Sequence, residues 1–173
     1  MNRAEYREKV LNILREHNLF MFPIDVIKLS QEIGFKIFEQ ELDYSGAILV
    51  NDDEEFEIGG LTTNKAIIIN AKDAYTRQLF TIAHELGHYF LHKNGNKIYA
   101  HRETNGGYNQ IESEANSFAA ELLMPYDEFV SKYLEYDNTS DSNYKVKRQL
   151  ANYFGVSLPA VENRIINIIG GKD

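Results

Sequence analysis

Apolar residues recur at helical spacing through the first 34 positions. Tyr6, Val10, Ile13, Leu14 and Leu19 are spaced close to a helical repeat with charges between them, which predicts a helix over 2–17. After Phe22-Pro23, the residues Val26, Ile27, Leu29 and Ile33 supply the face of a second, short helix; proline suits its first turn and Gly34 its stop. The period then shortens. Residues 35–39, 46–50, 56–58 and 65–70 are β-branched or aromatic runs separated by turn residues, and they predict three or four strands. The acidic run Asp52-Asp53-Glu54-Glu55 reads as a solvated hairpin tip. From Asp73 the period is helical almost to the end. One helix is expected over about 72–93 and another over about 109–124, after the polar stretch at Asn105-Gly106-Gly107. Pro125 opens a third to about 136, residues 138–143 form a loop, and two last helices flank Gly155-Val156-Ser157. There is no internal repeat or low-complexity tract. The order is helix, small sheet, helices: an α+β fold.

Composition narrows the class. A chain of 173 residues with 43% apolar and 25% charged residues suits one compact domain with a real core. Expected within a single domain 1–173 are N-terminal helices at 1–34, a small sheet at 35–70, central helices at 72–136 and a helix-turn-helix-like pair at 141–169. Eighteen basic against 26 acidic residues leave a net charge of -8, a poor match for nucleic acid or an anionic membrane. No apolar run approaches the roughly 20 residues of a membrane span, and the start lacks the apolar core of a secretory signal. The sequence has no cysteine, which excludes disulfides, thiolate zinc sites and cysteine nucleophiles together and fits a reducing cytoplasm.

The chemistry concentrates in His84-Glu85-Leu86-Gly87-His88. Histidines four apart on a helix lie about 40° apart around it and about 6 Å along it. Both imidazoles therefore lean toward one point and can bind one Zn²⁺, with Glu85 beside them as general base. Leu79, Phe80, Ile82, Leu86 and Phe90 occupy the arc from about 160° to about 320° from His84, so the histidines flank the core side of the helix.

Catalytic zinc usually takes three protein ligands and a water. His92 follows on the same stripe but lies about 12 Å along the axis from His84, too far to share an ion, and reads as a cation at the helix C-terminus. The longer pattern of the metzincins is excluded, since Asn94 stands where its third histidine would be needed. A better candidate lies on the next helix. There Ile111, Ala115, Phe118 and Leu122 define a buried stripe, Glu112 groups with Asn116, Ala119 and Leu123, and Glu114 falls with Ser117 and Glu121 on the side read as solvated. Metal ligation gives a carboxylate a reason to share a face with alanine and leucine, so Glu112 is favoured and Glu114 is the alternative. Asn116 is placed to hydrogen-bond a ligating histidine.

Thr76-Arg77-Gln78-Leu79-Phe80-Thr81-Ile82-Ala83-His84-Glu85-Leu86-Gly87-His88, with Glu112-x-x-Ala115-Asn116-x-Phe118-Ala119-Ala120-x-Leu122-Leu123-Met124-Pro125, closely resembles the ImmA/IrrE family of zinc metallopeptidases. Leu150-Ala151-x-x-Phe154-Gly155-Val156-Ser157-x-x-Ala160-Val161-x-x-Arg164 is similar to the family's C-terminal helical pair, so the resemblance runs from about 45 to 169. It implies a zincin-like metallopeptidase fold, one catalytic zinc on His84, His88 and Glu112, and Glu85 as the catalytic residue. It also implies a cytoplasmic protein that cleaves or inactivates a helix-turn-helix repressor in the control of a mobile element, phage or stress response. An appended regulatory domain is not expected.

Three further readings concern the surroundings of the motif. Tyr89, Tyr108 and His101 are candidates for a donor to the tetrahedral oxyanion, although rim or surface roles explain each as well. Residues 65–70 are read either as an edge strand that pairs with an extended substrate or as a plain core strand, and Gly87 as the residue that lets its helix approach the sheet closely. A DNA-binding regulator is the competing class. Residues 144–173 hold Lys145, Lys147, Arg148, Arg164 and Lys172 against Glu162 and Asp173, five minus two or +3. Residues 157–164 offer few side chains able to read bases, so direct nucleic-acid binding is not expected. The last alternative is a metal-binding scaffold that antagonises a repressor by contact alone.

Overall fold

The computed structural model describes residues 3–93, 97–98, 110–139 and 142–169. In chain order the elements are α1 (Arg3–Glu16), α2 (Val26–Ile33), β1 (Lys36–Gln40), β2 (Gly46–Asn51), β3 (Phe56–Ile58), β4 (Leu61–Thr63), β5 (Lys65–Asn70), α3 (Tyr75–His92), β6 (Lys97–Ile98), α4 (Gln110–Leu123), α5 (Tyr126–Thr139), α6 (Asn143–Phe154) and α7 (Leu158–Ile169). The architecture is α+β, as expected from the change of period. No described helix is long and apolar enough to cross a membrane. The chain divides into two compact units, one of Val26–Ala119 and one of Met1–Asp25 with Ala120–Asp173.

In the unit Val26–Ala119 a four-stranded mixed sheet runs β1-β5-β2-β6. β1 lies parallel to β5 with Phe38 opposite Ile68, β2 antiparallel to β5 with Ile48 opposite Ile67, and β6 antiparallel to β2 with Val50 opposite Ile98. β5 is therefore central rather than an edge strand, which excludes it as the partner of an extended substrate. Burial of Ala66, Ile67, Ile69 and Asn70 is what a strand covered on both faces requires. β3 and β4 form a separate ribbon that turns at Gly59-Gly60, both at positive φ. The acidic run at 52–55 is exposed as expected, but it links β2 of one sheet to β3 of the other instead of forming a hairpin tip.

α2 begins at Val26, so Pro23 precedes the helix rather than opening it. Gly34 stops α2 at φ +101°, and the Phe35 N–H returns to Ser30 O at 2.9 Å. α3 follows directly from β5: Gln78 Nε2 donates to Asn70 O at 3.0 Å, and Thr81 lies over β2 at Gly46. A Cβ at Gly46 would stand 2.4 Å from Thr81 Cγ2 and 2.7 Å from Ile68 O, so only glycine lets the helix sit this close to the sheet.

The other unit is helical. Its core takes Val10, Ile13 and Leu14 from α1, Phe129 from α5, Val146, Leu150 and Phe154 from α6, and Val161 from α7. α1 ends with Asn18 at φ +53° and the Leu19 N–H on Leu14 O at 2.8 Å, which turns Leu19 back into the apolar interior. Gly155, at φ +64°, closes α6 and leads into α7. The loop expected over 138–143 is shorter, because α5 runs to Thr139 and Ser142 already caps α6. Two charged residues are buried here. Arg164 of α7 donates to Glu121 Oε2 at the end of α4, and Glu121 Oε1 accepts from Tyr126 N at 3.0 Å. Arg164 is therefore no part of a basic surface, and Lys147 is tied to Glu162 at 2.9 Å. Two of the five basic residues that favoured a DNA-binding reading are thus matched by carboxylates within the fold.

Candidate metal centre

α3 presents His84 and His88 one turn apart, with ring centroids 4.7 Å from each other in an edge-to-face arrangement. Their Nε2 atoms are 3.0 Å apart. Glu112, in the first turn of α4, meets both: Oε2 lies 3.2 Å from His84 Nε2 and Oε1 3.3 Å from His88 Nε2. One donor atom from each of the three residues lies within 4.8 Å of the others, a set able to hold a metal ion. Three donors about 2.0–2.1 Å from a tetrahedral centre would stand about 3.3 Å apart; the two Nε2 atoms and the contact of each with its own Glu112 oxygen are close to that spacing.

The hydrogen bonding fits as well. His84 Nδ1 donates to Asn116 Oδ1 at 3.0 Å, which leaves the Nε2 lone pair facing the other two donors. Burial pushes the His84 imidazole below its ordinary pKa against the opposing influence of the Glu112 charge, and so favours the neutral ring that metals bind. Exposure is graded: the His88 side chain is 5% exposed and that of Glu112 36%, so solvent reaches the cluster on the carboxylate side.

Glu85 is buried in α3 beside these groups. Burial first, and the Glu112 charge second, raise its carboxyl pKa to about 8. Two carboxyl groups near one point is an arrangement that a divalent ion relieves.

Sequence reasoning places several neighbours differently. Glu114 does not join the cluster; it takes a hydrogen bond from His92 Nε2 at 2.8 Å and one from Gln110 at 3.0 Å, and these hold its carboxyl down at about 2. On the side of α4 read as solvated, Ser117 is exposed, but Glu114 is mostly covered, Glu121 is buried and both carboxylates are engaged. His92 is the last residue of α3, as expected of a C-terminal cation, yet its partner is a side chain on the next helix. Gly87 faces α4 rather than the sheet: a Cβ there would lie 3.0 Å from both Cα and O of Ala115. Tyr89 is engaged elsewhere, its hydroxyl accepting from Lys65 Nζ at 3.2 Å and its ring edge-on to Phe35. Tyr108, His101 and the Asn105–Gly107 stretch lie outside the described residues.

The sequence family described as the IrrE N-terminal-like domain, Peptidase_M78, matches residues 31–165, more than three quarters of the chain. The chain belongs to the ImmA/IrrE family. Among curated ImmA/IrrE-like relatives, "Uncharacterized immunity region protein 2" of Bacillus phage phi105 is 40% identical over 78 residues, 45% of this chain and 49% of that protein. "Metallopeptidase ImmA" of Bacillus subtilis (strain 168) is 35% identical over 89 residues, 51% of this chain and 49% of its own length. The chain thus aligns with about half the length of each. A solved Mycobacterium tuberculosis transcriptional regulator superposes on 94% of this chain and 46% of its own, with a TM-score of 0.57 and 16% identity, a likeness of fold.

Proposed function

We propose that this chain is a zinc-dependent endopeptidase of zincin-like type, with 1–173 acting as one metallopeptidase domain, His84, His88 and Glu112 as ligands and Glu85 as the catalytic residue. The observation that carries the reading is the convergence of those three side chains from two helices, with Glu85 buried beside them. Two imidazoles and one carboxylate are a donor set that suits zinc. When bound, the ion supplies Lewis-acid polarisation of a carbonyl, a more acidic water and a positive charge that draws Glu85 to ionise.

The chain's own groups do the rest. Glu85 accepts the proton of the attacking water and returns it to the leaving amine nitrogen, a role that its raised pKa and burial suit. Asn116 holds His84 in the tautomer that presents Nε2. The substrate in this reading is a protein, a helix-turn-helix repressor cleaved or inactivated in the cytoplasm. Support comes from the phage relative named for an immunity region and from the relative named as a metallopeptidase.

The test combines metal analysis with cleavage of a repressor encoded beside the gene. Glu85→Gln should keep zinc near one per chain and lower cleavage by about 10²–10⁴-fold, whereas with zinc in excess Glu112→Ala should stay empty and Glu114→Ala still take up the ion. Repressor inactivation that survives Glu85→Gln would replace hydrolysis with antagonism by contact.

A further inference from the structure

The two helices that bear the cluster are joined a second time, beyond it. His92 stands one turn after His88, with ring centroids 5.6 Å apart, and its Nε2 lies 2.8 Å from Glu114 Oε2. Both side chains are mostly covered, at 16% and 20% exposure, and Gln110 holds the other Glu114 oxygen at 3.0 Å. Among the described residues Nδ1 of His92 meets no hydrogen-bond partner, and the ring's bond is the one to Glu114.

We propose that His92 and Glu114 form a clamp that sets the rotation of α4 against α3, so that Glu112 reaches both Nε2 atoms. The proposal rests on the metal-centre reading above. The helices approach closely through Gly87 and Ala115, with the Phe118 ring also beside Gly87 and its centroid 5.6 Å from that of Phe90. Glu112 and Glu114 leave α4 on opposite sides of Ala115, about 60° and about 100° from it around the helix. Contacts on both sides therefore fix the rotation, and only one of them uses donor atoms of the cluster. A ligand set held to within about 0.5 Å needs such support from residues that are not themselves ligands. His92 and Glu114 are positioning residues, in contact with each other and outside the cluster itself.

The experiment measures zinc affinity of the full chain by chelator competition, the visible spectrum of the cobalt-substituted protein, and the melting temperature of the metal-free form. His92→Phe keeps a ring but loses the donor, and should weaken zinc about tenfold or more and alter the cobalt bands. His92→Gln, whose amide nitrogen can occupy the place of Nε2, should leave affinity and spectrum near wild type. A role in packing alone would lower the metal-free melting temperature and leave affinity and spectrum unchanged in both variants, and that result overturns the clamp. Should His92→Phe fail to fold, Glu114→Ala reads the same loss from the other partner, with the same two outcomes. A wild type that binds no zinc sinks the metal-centre reading and the clamp with it, whereas a wild type that binds zinc no better than His92→Phe or Glu114→Ala sinks the clamp alone.

Discussion

The Glu121–Arg164 pair and the cluster at His84, His88 and Glu112 are built on opposite plans. Glu121 and Arg164 are unlike charges, 7% and 3% exposed, and the carboxylate spends its second oxygen on the Tyr126 N–H. The group at His84, His88 and Glu112 brings two imidazole nitrogens and a carboxylate to one point, with a second carboxyl, Glu85, buried close by. Desolvation costs both. In the first the chain itself supplies the compensation, and the pair is structural. In the second, two imidazoles and a carboxylate turn their lone pairs toward one point, a donor set that suits a cation from outside the chain.

Truncation should separate the two plans most sharply. Glu121→Ala strands a buried guanidinium and is expected to cost about 3–5 kcal/mol in urea unfolding. The paired change Glu121→Leu with Arg164→Met should recover most of that loss, and if it does not, the pair is more than a matched charge. Glu112→Ala should instead leave the metal-free protein within about 1 kcal/mol of wild type while removing the ion.

Next in size is a dependence on pH. The folded Glu85 value of about 8 lies above the ordinary 4.5, so between these values the folded chain keeps a proton that the unfolded chain has released. Stability of the metal-free protein should therefore fall as pH rises through that window, by up to about 1.4 kcal/mol per pH unit. Denaturation in a chelator at several pH values checks this, and Glu85→Gln should flatten the slope. The smallest effect is expected from Asn116→Ala, which frees the His84 ring and should weaken zinc about tenfold in a chelator titration while barely moving the metal-free melting temperature.

The legible part of the site was local or periodic. His84 and His88 announce themselves by spacing, and helix phase distinguished Glu112 from Glu114 because the former shares a face with Ala119 and Leu123, both buried. Phase cannot see a partner on another element. Glu114 and Glu121 looked solvated because both are carboxylates on one side of α4, whereas their partners, His92 and Arg164, lie 22 and 43 residues away in sequence. The central position of β5 was closer to hand, since four consecutive apolar residues at 66–69 do not alternate as a half-solvated edge would. The β3–β4 ribbon was half seen: Phe56–Ile58 reads as a strand, but Leu61–Thr63 is too short and too polar to register. Lys65 shows why aromatic candidates misled, because its ammonium holds the Tyr89 hydroxyl, an attachment no spacing rule contains.

The one-turn interval between the two imidazoles carries a consequence for how the protein matures. A helical fragment over α3 already possesses a bidentate grip, whatever the rest of the chain is doing. The carboxylate arrives only when α4 has docked. On the proposed ligand set, capture of an ion would thus begin as short-range chelation on α3 and be completed by tertiary assembly.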